Sequence, residues 1–408
     1  MGQMLLLRNR IMFKLKNLKS LPSAIALTLV LFYSGVLLSG CSKQISQSSS
    51  NATATQKSAS EKKPRGLFLN SANLPTQDWE RIERYILNDP TVAGANIIVP
   101  WSLVDRGPNA VQQYDWSYVY QQAKPWIDAG KTVNILLWGA AQKTEQEFNG
   151  KSITPEYVLQ NTDTVSCQCK INQGCAIDPP QTPVFWDKDY QDNYRQVVQA
   201  AIAEFESQPW VGYFRFGIGV GAESYPGNGV SYEKNPCTKE WTKPPINLSE
   251  ELWQEHSLDF IDFLASIETS KTVLVTINNY GKSYDVARAV AAYAAEKGFG
   301  IGTQGLTKNA LNLYAQGKNC YADWCNLFKK YDETTILEVQ TAAQSNPADK
   351  GRVGPLPPLL DFGLAKGVDI FELYQAEWFV ANDSTHHHYK KYGASYRQAL
   401  QEAAAKLK

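Results

Sequence analysis

The chain has no excess of charge of either sign. Its 408 residues include 40 Lys and Arg and 40 Asp and Glu, so the formal net charge is +0 with neutral histidines. A protein that binds nucleic acid needs a basic surface that attracts phosphates. The composition therefore predicts no nucleic-acid partner.

Histidine is scarce, with four in the whole chain. Three of them form the run His386-His387-His388, and the fourth is His256. Consecutive side chains diverge on a regular backbone and cannot all reach one ion, so we expect the run to be a solvated loop. A barrel esterase or deacetylase would need a Ser–His pair or a metal site. It stays an alternative supported by these histidines alone, and we predict no metal and no cofactor.

Glycine-rich nucleotide motifs are also missing. The first predicted strand is followed by Ser71-Ala72-Asn73-Leu74-Pro75, which is not a dinucleotide fingerprint. No glycine-rich stretch precedes the Lys-Ser/Thr pair of a phosphate-binding loop. An open nucleotide-binding sheet is therefore disfavoured.

The N-terminus has the parts of an export signal. Five basic residues precede an apolar stretch at about 21–38, which ends at Leu38-Ser39-Gly40-Cys41. This quartet resembles the lipobox of bacterial lipoproteins, in which the cysteine carries the lipid. The resemblance implies a signal peptide at 1–40, lipidation of Cys41 and an envelope protein held to a membrane by its lipid. The alternative is a plain membrane anchor.

Residues 42–64 contain almost nothing to bury, so we predict that 41–64 is the lipidated cysteine with a flexible tether. Six cysteines remain beyond Cys41, and an even number in an exported protein points to disulfides. Cys320 and Cys325 are expected to bridge one loop. The pairing of the others stays open, and zinc at the 167–175 cluster is an alternative. These four are Cys167, Cys169, Cys175 and Cys237.

From residue 65 onward, short apolar runs alternate with longer segments of helical spacing. Eight strands and eight helical segments in alternation predict one α/β domain over 65–408, a (β/α)₈ TIM barrel. The predicted strands are 66–70, 95–101, 132–138, 211–217, 272–278, 300–304, 335–340 and 369–374. The long loops 139–186 and 218–249 would lie at the C-terminal face of the barrel, where active sites are built.

Two glutamates stand in the segments predicted as strands 4 and 7. Glu223 follows the glycine-rich exit 217–221, and Glu338 lies within the apolar run Ile336-Leu337-Glu338-Val339. Two carboxyl groups that face each other across a barrel mouth suit glycoside hydrolysis with retention. Burial would raise the pKa of Glu223. The alternatives are a rim ion pair for Glu223 and a buried pair with Arg215 or a lysine for Glu338.

The chain resembles the retaining (β/α)₈ glycoside hydrolases of clan A over about residues 65–395. The local likeness is to the strand 2 to strand 3 unit of β-galactosidase-like members. It comprises Ile97-Ile98-Val99-Pro100-Trp101-Ser102, Tyr114-Asp115-Trp116 and Gly130-Lys131-Thr132-Val133. The resemblance implies that Glu223 is the acid/base and Glu338 the nucleophile. Many members have Asn before the acid/base, where it binds the sugar's 2-hydroxyl, but this chain has Ala222. Either another group serves that hydroxyl, or the chain is a divergent member, or the barrel has lost activity.

Further residues are predicted to bind the substrate from their positions. Trp378 falls where many clan members place a tryptophan under the sugar, while Glu372 and Glu377 compete for a catalytic role. Tyr280 and Gln304 would orient Glu338. The predicted substrate-binding residues are Trp101, Trp138, Asn278, Tyr280, Gln304 and Trp378.

The sequence thus predicts an exported retaining glycosidase that acts on an oligo- or polysaccharide. The alternative of a different class is a catalytically silent carbohydrate-binding barrel at the cell envelope, which Ala222 favours.

Overall fold

The structure is a computed structural model of the full chain. It describes residues 64–73, 77–140, 152–166, 169–170, 174–175, 181–227 and 237–408. The chain divides into two units, Met1–Ala59 and Ser60–Lys408. The predicted signal, Cys41 and most of the tether lie outside the described residues. Among those that are described, no helix has the length and apolar character needed to cross a bilayer.

Eight parallel strands close into a barrel within the second unit. Each strand pairs with its neighbours in chain order, and the eighth pairs with the first. The strands are β1 (Gly66–Leu69), β2 (Val92–Pro100), β3 (Thr132–Trp138), β4 (Val211–Phe216), β5 (Thr272–Thr276), β6 (Gly300–Leu306), β7 (Leu337–Thr341) and β8 (Ile370–Leu373). The predicted barrel is confirmed, and the bounds of β3 agree with the prediction.

Helices surround the barrel in the connections between strands. The described helices are Trp79–Ile82 with the π-helical Glu83–Leu87, Trp101–Val104, Ser117–Asp128, Glu156–Leu159, Lys188–Phe205, Thr238–Thr242, Glu250–Ala265, Asp285–Glu296, Lys308–Ala315, the 3₁₀ turn Tyr321–Asp323, Trp324–Tyr331, Leu356–Leu364, Gln375–Asn382 and Tyr389–Lys406. Two short antiparallel pairs, Thr164–Val165 with Thr182–Pro183 and Cys169–Lys170 with Gly174–Cys175, lie in the loop after β3.

The helix Lys188–Phe205 illustrates how the outer layer forms. The Asp187 side chain caps it by accepting hydrogen bonds from the backbone amides of Asp189 and Tyr190. Buried residues then recur at helical spacing, from Tyr190 and Tyr194 to Phe205. This stripe faces the sheet, so the helix covers the barrel wall.

Strand alternation separates two cores. On β7, Leu337 and Val339 belong to the large core between sheet and helices. The alternate residues face the barrel interior. A small apolar cluster fills part of that interior, and it comprises Phe68, Leu136, Tyr213, Ala222, Leu274, Ile336 and Ile370. Polar and charged side chains fill most of the remaining interior and form the candidate site.

The predicted disulfide between Cys320 and Cys325 is confirmed, with Cα atoms 6.1 Å apart. Cys237 is also disulfide-bonded and is buried. Cys167 lies outside the described residues, and the side chains of Cys169 and Cys175 do too. The pairing of these three, and the zinc alternative for them, therefore stay at the level of prediction.

Candidate active site in the barrel interior

The segment after β4 folds back on itself and delivers Glu223 to the barrel mouth. The backbone amide of Gly219 donates to the Glu223 carbonyl at 2.9 Å, and the amide of Gly221 donates to the Ala140 carbonyl at 2.7 Å. Glycine is needed here because a Cβ on Gly219 would lie 2.0 Å from the carbonyl oxygen of Tyr225. The glycine-rich exit thus forms a tight turn, as its composition predicts.

The Glu223 side chain is buried, with 5% of its surface exposed. The Asn278 amide nitrogen donates to its Oε2 at 3.0 Å, while its Oε1 has no hydrogen-bond partner among the described residues. Burial raises the pKa of Glu223 to about 7, although Arg215 and the Asn278 amide act in the opposite direction. A carboxyl group that is half protonated near neutral pH and has one free oxygen can donate a proton to a ligand. Within the described residues Glu223 forms no ion pair, so the structure there does not show the rim-pair alternative.

Glu338 lies deeper than the sequence predicted. It is the second residue of β7, paired in register with Gly302 of β6 and Ile370 of β8, whereas the strand continues to Thr341. The prediction of a position at the mouth end of strand 7 was therefore wrong by about one inward-facing residue, which is Gln340. The Ile-Leu-Glu-Val-Gln-Thr run alone does not reveal where a strand of this length begins.

The Glu338 carboxyl group is completely buried against the backbone of β6. A Cβ on Gly302 would lie 2.2 Å from Glu338 Oε2, so glycine leaves the space that this carboxyl group occupies. Neither carboxyl oxygen makes a well-formed hydrogen bond within the described residues. Burial and the Glu372 carboxylate raise the pKa of Glu338 well above its ordinary value, and Glu223 adds to the rise. Arg215 and the Thr303 backbone amide oppose it.

Arg215 of β4 is the cation of this interior. Its Nη1 lies 2.8 Å from Glu372 Oε1 and 3.6 Å from Glu338 Oε2. The predicted alternative of a buried pair between Glu338 and Arg215 is thus a real contact, but Glu372 is the closer partner. Burial lowers the pKa of Arg215, yet the carboxylates of Glu372 and Glu338 outweigh burial and raise it. Arg215 therefore contacts two buried carboxyl groups, and Glu338, the more distant of them, can lose its charge by protonation.

Arg215, Glu338 and Glu372 are called here the ion group. Hydrogen bonds from deeper residues of the barrel support it. The Tyr213 hydroxyl lies 2.6 Å from Glu372 Oε1 and 3.0 Å from Asn96 Oδ1. Asn134 donates to the same Asn96 oxygen at 2.8 Å and accepts from the Tyr213 backbone amide at 3.2 Å. Glu372 is therefore held in place by two donors, and Glu338 is the less restrained carboxyl group.

Some of the predicted substrate-binding residues do line the mouth. Trp138, the last residue of β3, is half-buried and packs against the interior cluster. Asn278, two residues beyond β5, contacts Glu223 directly. The structure adds Gln340, whose amide donates to the Tyr374 hydroxyl at 3.3 Å above Glu338.

Tyr280 and Gln304 do not orient Glu338, contrary to prediction. Both are half-buried, and neither makes a hydrogen bond to the Glu338 carboxyl group. Tyr280 instead packs against the outer core and bridges to Ser283, because the chain has already left the barrel wall at that point.

The predictions for Trp101 and Trp378 were wrong. Both side chains are fully buried and offer no face to a sugar. Trp101 packs on Tyr190 and Tyr194, and its indole N–H donates to Asp105 at 2.8 Å. Trp378 lies in the helix after β8, and its indole N–H donates to Thr91 at 3.2 Å, next to the start of β2. Each tryptophan stands close to a strand end in sequence but turns into the helical layer.

Ala222 packs into the apolar interior cluster and is 2% exposed. The position that precedes the acid in many clan members thus serves packing in this chain. Asn278, from the neighbouring strand exit, is the amide that contacts Glu223.

Glu377 forms a separate buried carboxyl site. Its Oε1 accepts from the Ser345 backbone amide at 2.7 Å, and burial raises its pKa to about 7. It belongs to the helix Gln375–Asn382 and makes no contact with Arg215. Of the two predicted competitors, Glu372 is therefore the one that lies beside Glu338.

His256 has a structural place. Its Nε2 lies 3.1 Å from the Ile218 carbonyl and its Nδ1 lies 3.0 Å from the Gln191 amide, and burial lowers its pKa to about 4. The neutral ring therefore anchors the turn that leads to Glu223. Within the described ranges, no cluster of three or more His, Cys, Asp or Glu side chains is arranged to hold a metal ion.

Comparisons with known proteins support the architecture. No family model matches the chain. No curated protein matches it in sequence. Among solved structures, the catalytic domain of the β-amylase from Paenibacillus polymyxa aligns with a TM-score of 0.53 and 11% identity, over 83% of this chain and 98% of that chain. The comparison shows the fold. This chain has a (β/α)₈ barrel similar to that domain.

Two further solved structures align at lower scores. Endo-glycoceramidase II from Rhodococcus sp. gives a TM-score of 0.43 at 11% identity, over 76% of this chain and 73% of that chain. The β-galactosidase from Marinomonas ef1 gives 0.43 at 9% identity, over 83% of this chain and 59% of that chain.

Proposed function

We propose that this protein is a glycoside hydrolase whose chemistry depends on Glu223 and Glu338. The observation that carries the proposal is that one barrel interior holds two buried carboxyl groups whose charges influence each other. Glu223 has a pKa of about 7 with one oxygen free, and its charge in turn raises the pKa of Glu338. The names of the aligned solved structures, a β-amylase above all, support the same reaction class.

In the proposed reaction, Glu223 protonates the glycosidic oxygen as the bond to the anomeric carbon breaks. Glu338 attacks that carbon and forms a covalent glycosyl-enzyme, which water then hydrolyses with Glu223 as base. Retention of configuration follows from the two displacements. Trp138, Asn278 and Gln340 line the space where the sugar would lie.

One observation favours a second stereochemical course. Glu338 is completely buried and lies one inward-facing residue below Gln340, so it is set back from the barrel mouth. A carboxylate that is set back from the sugar suits a general base that takes a proton from an attacking water, and like a nucleophile it acts in its ionised form. In that course a water stands between Glu338 and the sugar, and the product is inverted.

The deciding measurement is the anomer that is formed first, read by ¹H NMR with α- and β-linked oligosaccharides. Incubation with 2-deoxy-2-fluoroglycosides and mass mapping of the labelled peptide accompanies it. A retained anomer with an adduct on Glu338 supports the nucleophile, and an inverted anomer without adduct supports the base. An adduct on Glu372 would overturn the assignment of Glu338. No turnover of any glycan would instead favour the silent carbohydrate-binding barrel.

We also propose that the protein is exported and lipid-anchored through Cys41. Support comes from the Leu38-Ser39-Gly40-Cys41 quartet after the apolar stretch. Cys41→Ala should abolish incorporation of radioactive fatty acid and move the protein from the membrane fraction to the soluble or precursor fraction. Unchanged labelling in this variant would contradict the anchor.

A further inference from the structure

A disulfide-bridged turn touches the residue that holds Glu223. The turn runs from Cys320 to Cys325 and is called here the strapped turn. Its Tyr321 hydroxyl accepts a hydrogen bond from the Asn278 amide nitrogen at 3.1 Å. The same nitrogen donates to Glu223 Oε2 at 3.0 Å, and Asn278 Oδ1 accepts from the Ser224 backbone amide at 3.2 Å.

These contacts fix the Asn278 amide completely. Both of its N–H groups and one of its oxygen lone pairs have partners, so a flip would place Nδ2 against the Ser224 N–H and Oδ1 against the carboxyl group of Glu223. Tyr321 is the partner that does not belong to the Glu223 segment. It therefore supplies an independent anchor for the amide.

The strapped turn has an unfavourable backbone that its surroundings enforce. Ala322 and Asp323 have φ values of 53° and 56°, in the left-handed region that side chains other than glycine rarely adopt. The Asn279 side chain accepts from the Ala322 amide at 2.7 Å. Arg288 pairs with Asp323 at 2.9 Å, and the disulfide closes the turn.

Asn278 and Asn279 connect the Glu223 segment to the strapped turn. The first side chain reaches Glu223 and Tyr321, and the next residue holds the turn that presents Tyr321. A strained segment that is restrained on several sides and touches an active-site partner is typical of a positioning device.

We propose that Tyr321, presented by the strapped turn, is a positioning residue that orients Asn278 and through it the carboxyl group of Glu223. The inference rests on the proposed function of Glu223 as proton donor. It predicts that an intact turn keeps Oε2 bound to Asn278 and leaves Oε1 to face the ligand.

The test is Tyr321→Phe in the full chain, with Tyr331→Phe as the matched control. Tyr331 is half-buried at the end of the helix that follows the turn, and its ring faces Lys330. Since the Asn278 hydrogen bond lowers the pKa of Glu223, looser donation should raise that pKa. Titration of ¹³C-labelled glutamate, with the Glu223 signal assigned from Glu223→Gln, should show an upward shift in Tyr321→Phe and none in Tyr331→Phe.

Asn278→Ala sets the upper limit of this shift. Adding Tyr321→Phe to Asn278→Ala should produce no further shift, because Tyr321 acts through Asn278. The double variant Cys320→Ser/Cys325→Ser should shift the pKa in the same direction as Tyr321→Phe. A reductant is unsuitable for this purpose because it would also reduce the disulfide of Cys237.

On a cleaved glycan, Tyr321→Phe should lower kcat roughly tenfold with little change in KM. An unchanged Glu223 pKa in Tyr321→Phe would overturn the positioning role. So would a further pKa shift when Tyr321→Phe is added to Asn278→Ala. The titration needs no substrate, so it tests the positioning role even if the chain cleaves no glycan. Absence of glycan cleavage would contradict the proposed function but not the positioning role.

Discussion

Glu223→Gln should lower kcat/KM on an unactivated glycoside by roughly 10²–10⁴-fold, the range expected when a general acid is removed. The glutamine side chain of this variant keeps an oxygen that can accept the hydrogen bond from Asn278, but it has no acidic proton to transfer to the leaving group. A dinitrophenyl glycoside, whose leaving group departs without protonation, should lose far less. This contrast between leaving groups separates loss of the acid from loss of the fold.

The pH profile provides the second readout for Glu223. A general acid must be protonated, so kcat/KM of the wild type should fall as the pH rises through the Glu223 pKa of about 7. The high-pH limb should be absent in Glu223→Gln. The matched control is Glu333→Gln, an exposed residue just before β7, which should leave both rate and profile unchanged. Equal losses on both leaving groups would contradict the assignment of Glu223 as acid.

The barrel was predictable because its signals are local. Each apolar run is short, and each is separated from the next by a segment of helical spacing, so the count of eight needs no tertiary information. The bridge between Cys320 and Cys325 was predictable for the same reason, since five residues of separation bring two cysteines within reach.

Depth inside the barrel was not predictable. Glu338 and Gln340 share one face of β7, and only the register with Gly302 and Ile370 shows which of them is the deeper. The predictions for Trp101 and Trp378 were wrong for a related reason. Trp378 follows β8 closely, but a helix starts at Gln375 and turns the indole toward Thr91.

The ion group could be found only in part. Alternation predicts that Arg215 faces inward when Phe214 and Phe216 face the helices. The contact between Arg215 and Glu372 joins β4 to β8, strands on distant sides of the barrel, and no spacing along the chain indicates it. The Asn278–Tyr321 contact is equally non-local, since a loop after β6 brings it about.

Arg215→Met should strongly destabilise the barrel. It removes the cation that contacts two fully buried carboxyl groups, Glu338 and Glu372, and leaves them without an ion-pair partner among the described residues. Breaking a buried ion group in this way costs about 3–5 kcal/mol in the free energy of unfolding. By contrast, Arg84→Met removes an exposed pair with Glu80 and should leave the free energy of unfolding nearly unchanged.

The loss of unfolding free energy in Arg215→Met should depend on pH, and the direction of that dependence can be derived. Without Arg215, which lowers the pKa of Glu338, burial holds a proton on Glu338 in the folded state at pH values where the unfolded state, with a carboxyl pKa of about 4.3, has released it. The stability of Arg215→Met should therefore fall as pH rises above about 4.3, more steeply than that of the wild type. Denaturant unfolding with the disulfides intact, at about pH 5 and about pH 7, measures this slope.

The control that isolates charge is the triple variant Arg215→Met/Glu338→Gln/Glu372→Gln. Neutral side chains of similar size need no cation, so this variant should recover much of the stability lost in Arg215→Met and lose its extra pH dependence. If the triple variant were no more stable than Arg215→Met, lost packing of the arginine would explain the effect instead.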